Sequence, residues 1–189
     1  MNTPSQNSVT ADTLAAAASQ ASKKGPPPVH LWNPPFCGDL DMEIRADGTW
    51  FYMGTPIGRM PLVKLFGSIL KLEEGKYFLV TPVEKVGIRV EDAPFIAVDY
   101  RVEAGNLVFT TNLGDEFTAG PEHKMRVAFN EDEPRPYIHI RRGLEARIDR
   151  KSFYRLIEIA ITEAHEGVAW LGLRSNGAFF PIIRKDDLP

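Results

Sequence analysis

The chain has a single cysteine, Cys37, so no intrachain disulfide can form and the composition points to a reducing compartment. No apolar run approaches the ~20 residues that span a bilayer. Leu14 to Ala18 is too short and too Ala-rich for a signal-peptide core, and no basic residue precedes it. A cytoplasmic protein without integral membrane association is therefore expected. Positive charge is not in excess either: 22 basic residues against 25 acidic ones leave a net charge of −3, which gives no reason to expect nucleic acid as a partner. Neither glycine-rich phosphate-cradling motif occurs, with or without its lysine. No histidine and cysteine cluster suggests zinc, and the acidic run Asp39, Asp41, Glu43 lacks the further ligands and loop glycine of a calcium loop. No cofactor is expected.

What is present is enough apolar material, 43% of 189 residues, to bury a core. Residues 1–28 are poor in it, with one leucine and a Lys-Lys-Gly-Pro-Pro-Pro end, and read as a mobile tail. Within the tail, Thr13 to Ala21 is a helix former with Asp12 as candidate cap. Folded texture begins after it, and the division expected is 29–82 for an N-terminal α+β sub-domain and 83–189 for a β-rich C-terminal one with one helix. Asp47-Gly48 between alternating residues predicts a type I′ hairpin. Leu62, Leu65, Phe66, Ile69 and Leu70 recur at helical spacing after Pro61, and Tyr77 to Val80 reads as a strand.

The later chain repeats this grammar. Setting Arg59 on Arg150 places Leu62 on Phe153 and Leu65 on Leu156; with one inserted residue, Glu74-Gly75 falls on Glu166-Gly167, and a strand follows each. Short β-like runs, Val86–Val90, Phe95–Val102, Leu107–Thr111, Met125–Phe129 and Tyr137–Ile140, lie between the copies, and Asn176-Gly177 marks another hairpin. The fold class expected is α+β: two related sub-domains from an internal duplication, each an antiparallel sheet packed with one main helix.

The strings LWNPPFCGDLDMEIRADGTWFYMGTPIGR, YFLVTPVEKVGIRVEDAPFIAVD and LEARIDRKSFYRL carry a more specific signal. Together they closely resemble the bacterial family 1285 of the domains of unknown function, over about His30 to Ile183. The resemblance implies a duplicated two-part α+β protein with a C-terminal part superficially similar to pleckstrin-homology-like folds. It brings no established activity, only the suggestion of a nucleotide-like ligand where the parts meet. A pleckstrin-homology domain closes with a helix, whereas here a strand pair follows the last helix, so phosphoinositide binding is not inherited.

Candidate functional residues fall into four groups. In VTPVEKVGIRVEDAPFIAV, Val86, Ile88 and Val90 alternate with Lys85, Gly87, Arg89 and Glu91, a charged strand face between Pro82 and Pro94. Because ligand sites favour domain boundaries, Thr81, Glu84, Lys85, Arg89 and Asp92 are candidate ligand contacts, with Trp32 and Asn33 as walls. The run from Arg141 to Lys151, continued to Arg155, holds six basic residues against two acidic ones. Arg150 and Lys151 in a first helical turn oppose the macrodipole, as does Arg59 before the first helix, and all three are either anion contacts or a solvated face. Cys37 is either a small buried hydrophobe or a redox-sensitive thiol. Asp39 and Asp41 share a strand face with Arg45 as the expected partner.

These features favour a binding module, a regulatory or signalling protein that takes a small anionic or nucleotide-like ligand at the sub-domain seam. An enzyme using Cys37 or the Asp39/Asp41 pair and a protein-interaction adaptor are the alternatives, and the oligomeric state is left open.

Overall fold

The computed structural model describes residues 8–189. Residues 1–7 of the expected tail lie outside them. The remainder of that tail is ordered, contrary to the expectation from composition: Ala11–Ala21 forms helix α1 with Leu14 and Ala18 fully buried. Its cap is Thr10 rather than Asp12. The Thr13 backbone N–H donates to Thr10 Oγ1 at 3.2 Å and the Thr10 N–H donates to Thr13 Oγ1 at 2.9 Å, so two threonines satisfy each other's orphan donors. One leucine and a row of alanines suffice because α1 packs against a second helix, where small side chains permit close approach.

The chain divides into two compact units, residues 1–91 and 92–189. In unit 1, β1 (Phe36–Ile44), β2 (Trp50–Tyr52) and β3 (Thr55–Pro56) form one meander; helix α2 (Met60–Ser68) follows; β4 (Leu70–Glu73), β5 (Lys76–Val80) and β6 (Lys85–Val90) form another. The two meanders join into one six-stranded sheet of order β3-β2-β1-β6-β5-β4. The join is a parallel pair, β1 with β6, in an otherwise antiparallel sheet. β6 therefore belongs to the first unit, and the boundary lies after Glu91 rather than between Pro82 and Val83, because β6 hydrogen-bonds to both β1 and β5.

One face of this sheet is apolar. Leu40, Met42 and Ile44 of β1, Leu79 of β5 and Val86 and Ile88 of β6 are buried together with Trp50, and Trp50 stacks on Phe66 of α2 at 6.2 Å. The β1–β2 turn differs from the expected type I′: of Asp47 and Gly48 only Gly48 has positive φ, and the Thr49 N–H is held by Asp47 Oδ1 at 2.9 Å, so a longer loop closes through a left-handed glycine.

Unit 2 repeats the plan. β7 (Phe95–Glu103), β8 (Asn106–Thr111) and β9 (Glu116–Thr118) form one meander, and β10 (Met125–Asn130), β11 (Glu133–Arg141) and β12 (Leu144–Ile148) the next. Their sheet has the order β10-β11-β12-β7-β8-β9, again joined by a parallel pair, β12 with β7. First strand beside last strand, with hairpins outward on both sides, is the same topology as in unit 1. The helix is placed differently: α3 (Arg150–Glu158) comes after the sixth strand of its sheet and leads into a third sheet of β13 (Ile161–His165), β14 (Val168–Ser175) and β15 (Ala178–Arg184). The buried Ser175 hydroxyl ties that sheet to β8, accepting from the Leu107 N–H at 2.9 Å and donating to the Ala119 carbonyl at 2.7 Å.

The helix correspondence predicted from sequence is a local likeness and not part of the repeat, since α2 lies between the third and fourth strands of its sheet and α3 follows the sixth of its own; within that likeness the register shifts by one residue. The N-caps are Arg59 and Asp149, and the buried positions Val63 and Phe66 match Phe153 and Leu156. Two residues are then inserted before the hairpins, where Glu74-Gly75 and Glu166-Gly167 both place two consecutive residues at positive φ, the requirement of a type I′ turn. Among the described residues no helix is long and apolar enough to cross a membrane.

Candidate functional site

The face of the unit 1 sheet opposite its core carries charge. Register fixes its layout. Across the parallel pair, Lys85 lies opposite Phe36, Gly87 opposite Asp39 and Arg89 opposite Glu43; on the other side of β6, Phe78 lies opposite Gly87, and Lys71 of β4 lies opposite Phe78. The alternation predicted for β6 holds, with Val86 and Ile88 buried, Lys85 half-buried and Arg89 exposed.

Gly87 is the centre of this face. It is buried, its φ is ordinary, and a Cβ there would run into Asp39 Oδ1 and approach the Phe36 ring. The Asp39 carboxylate occupies the space a side chain there would take, and an open depression of about 680 Å³ lies on the same face, lined by Phe36, Asp39, Glu73, Glu74, Lys76, Phe78 and Lys85. Phe36 is 55% exposed and meets Phe78 edge to face at 6.0 Å. An aromatic side chain this open in a strand exposes apolar surface that sheet packing normally covers.

The ion pairs of the face are ordered. Glu73 accepts from Lys71 Nζ at 2.8 Å and from Lys85 Nζ at 2.9 Å, and these two bonds, the Lys71 bond first, hold its carboxyl below the usual range. Lys71 also donates to the Trp32 carbonyl at 3.1 Å, and the Lys85 ammonium sits 4.8 Å from the Phe78 ring centroid. Arg89 pairs with Asp41 at 2.8 Å and reaches Glu43 at 3.8 Å. The expected partner of the acidic stripe, Arg45, instead lies over the Phe51 ring at 3.6 Å. A parallel neighbour supplies the counter-charge that was sought along the same strand.

Of the residues singled out from sequence, the depression brings together Lys85 and Asp39, with Trp32 linked through Lys71 and Arg89 further along the same face. Asn33 is exposed in the loop ahead of β1. Cys37 is exposed rather than buried; it precedes a register slip between Phe36 and Asp39, and the buried positions of β1 are Leu40, Met42 and Ile44. Its thiol lies 3.3 Å from the Pro35 carbonyl oxygen. Thr81 is fully buried and builds the β5–β6 turn, its hydroxyl accepting from the Glu84 N–H at 3.2 Å while its own N–H donates to the Glu84 carbonyl at 2.9 Å. Arg59 is an exposed N-cap residue of α2.

The candidates in unit 2 are placed separately. Asp92 accepts from Tyr137 Oη at 2.6 Å and from Arg147 Nη1 at 2.8 Å; burial, with this bond, raises the Tyr137 phenol above its ordinary range. The basic run from Arg141 is dispersed: Arg147 goes to Asp92, Arg155 to Asp99 at 2.6 Å, and Arg150 donates to Tyr154 Oη at 3.0 Å beside a smaller depression of about 320 Å³ rimmed by Asp132 and Glu133. Lys151 is exposed. The N-terminus of α3 is occupied by its own chain, since Asp149 Oδ1 accepts from the Ser152 N–H at 2.8 Å. Among the described residues, no three histidine, cysteine or acidic side chains are grouped to hold a metal ion.

The close approach of Asp39 to Gly87, Phe36 and the Lys71–Glu73–Lys85 cluster are what sequence reading missed. Gly87 stood in the alternation as a charged-face position, but the strand opposite it was not visible.

The family comparison follows the two units. Residues 27–93 match the family model described as "Domain of unknown function (DUF1285), N-terminal domain", and residues 94–182 match "Protein of unknown function (DUF1285), C-terminal domain". The crystal structure of a DUF1285 family protein from Silicibacter pomeroyi DSS-3 is similar at 55% sequence identity and a TM-score of 0.82, covering 92% of this chain and 96% of that one. A DUF1285 family protein from Shewanella baltica OS155 is 33% identical with a TM-score of 0.52, covering 63% of this chain and 91% of that one. No curated protein matches. The chain belongs to the DUF1285 family.

Proposed function

We propose that this DUF1285 protein is a regulatory or signalling module whose unit 1 binds a small anionic, nucleotide-like ligand in the depression between Phe36 and Lys85. The observation that carries the reading is the juxtaposition of an exposed Phe36 ring and the Lys76 and Lys85 ammonium groups around one depression. A flat base stacked on an aromatic ring gains about 1–3 kcal/mol. The two lysines supply positive charge for a phosphate, and the Asp39 carboxylate accepts from a ligand N–H or sugar hydroxyl. Lys76 is exposed at the turn of the β4–β5 hairpin and free to reorient toward an anion, whereas Lys85 is fixed over Phe78.

The test is a panel of nucleotides, including cyclic and signalling forms, titrated into the full chain by calorimetry and followed by thermal shift. Binding to wild type, lost in Phe36→Ala and weakened in Lys85→Ala, is the expected result. A flat response to every nucleotide at millimolar concentration ends the reading.

A further inference from the structure

We infer that Glu73 is a built-in competitor for the ligand's anionic group, occupying the lysine pair until a ligand displaces it. The inference rests on the ligand site proposed above and names its regulation; the pair is Lys85, which lines the depression, and Lys71, which lies outside its lining and holds the same carboxylate.

Three features of Glu73 support it. Its carboxylate sits between Lys71 and Lys85 at 2.8 and 2.9 Å, the distances an incoming phosphate oxygen would take up with the same ammonium groups. The lysine side chains are only 14% and 21% exposed, so solvent competes weakly for them and they present one anion-sized position, already filled. Glu73 is also the last residue of β4, an edge strand, and the type I′ turn begins at Glu74, so its side chain can swing outward by a rotamer change without disturbing a central strand. The two hydrogen bonds keep Glu73 ionised through the neutral range, which makes the competition constant there.

The consequence is an unusual sign. Removing an ordinary ligand contact weakens binding, whereas removing a competitor strengthens it. Glu73→Gln keeps the shape and removes the charge, and it is expected to tighten the binding of pyrophosphate and of ADP by about 3- to 10-fold, the scale of one or two half-exposed ion pairs.

Calorimetric titration of pyrophosphate and ADP into the full-length wild type, Glu73→Gln and Glu103→Gln tests this. Glu103 pairs with Arg101 at 2.9 Å in unit 2, so its substitution makes the same change in net charge elsewhere and is expected to leave both affinities as in wild type. Wild-type binding that Glu73→Gln leaves equal or weaker overturns the competitor role and leaves the ligand site standing. Equal tightening by Glu103→Gln overturns it too, as a bulk charge effect. No binding by either protein removes the site and the competitor together. Should Glu73→Gln melt early, Glu73→Asp, whose carboxylate reaches one methylene less far, is expected to tighten binding to a smaller degree, and unchanged binding in that variant counts against the role.

Discussion

Gly87 of β6 and Asp39 of β1 face one another across the parallel pair, and the Asp39 carboxylate lies where a Gly87 Cβ would otherwise stand. A glycine inside a strand weakens it, because it adds backbone entropy to the unfolded chain and packs nothing. Its presence here makes room for the Asp39 carboxylate on the sheet face that carries Phe36, Phe78 and Lys85.

Gly87→Ala separates stability from binding. The atom in the way is the end of a mobile carboxylate, and the φ of Gly87 is one any residue adopts. Thermal or urea unfolding is therefore expected to show a change within about 1 kcal/mol of wild type, since the gain from a less flexible unfolded chain offsets the displacement of Asp39. Nucleotide affinity is expected to fall, because the methyl group displaces the Asp39 acceptor that lines the depression.

Glu73 gives the folded protein a pH signature. Its pKa is depressed below the ordinary value of 4.5, so its contribution to stability is present above that value and is lost as pH falls through the lower folded-state pKa. At pH 7, Glu73→Gln is expected to be less stable than wild type by about 1 kcal/mol or less, as suits a partly exposed pair. Urea midpoints measured from pH 7 down to pH 3 should converge as the carboxylate takes up its proton.

Helix α1 is an integral part of unit 1 through the burial of Leu14 and Ala18. Leu14→Ala removes a fully buried side chain and is expected to cost about 2–5 kcal/mol by chemical denaturation. A loosely attached tail would lose nothing measurable.

Asp92 is a structural residue on the present account. Its contacts with Tyr137 and Arg147 are mostly buried, with Asp92 and Arg147 side chains 15% and 23% exposed. Asp92→Asn is expected to destabilise by about 1–3 kcal/mol, and a double-mutant cycle with Tyr137→Phe to show coupling, because the remaining groups lose a shared acceptor. Ligand affinity should not change.

Local features of the chain were legible. The alternation in Lys85–Val90, the apolar spacing of α2 and the Glu-Gly turns are all written within a few residues of themselves. The duplication was expected, but from the wrong segments: the repeat equates β1–β6 with β7–β12 and does not set α2 on α3. Non-local pairing was not legible. β1 and β6 are parallel neighbours separated by a helix and four strands, and nothing in either strand names the other; hence Arg89 was not matched to Asp41, nor Gly87 to Asp39. The same cause displaced the boundary, since a β6 with no visible partner looks like a connector. Charge also hid a strand. Leu144, Ala146 and Ile148 alternate and are buried, yet Arg147 between them and the arginines on either side drew attention to a basic patch that the fold disperses among Asp92, Asp99 and Tyr154.

The most direct measurement is a titration of ADP into isotope-labelled full-length protein followed by backbone amide NMR. The account predicts saturable shifts concentrated at Phe36, Asp39, Phe78, Lys85 and Gly87. Shifts confined instead to the depression around Arg150 and Tyr154, or none at millimolar ADP, would contradict it.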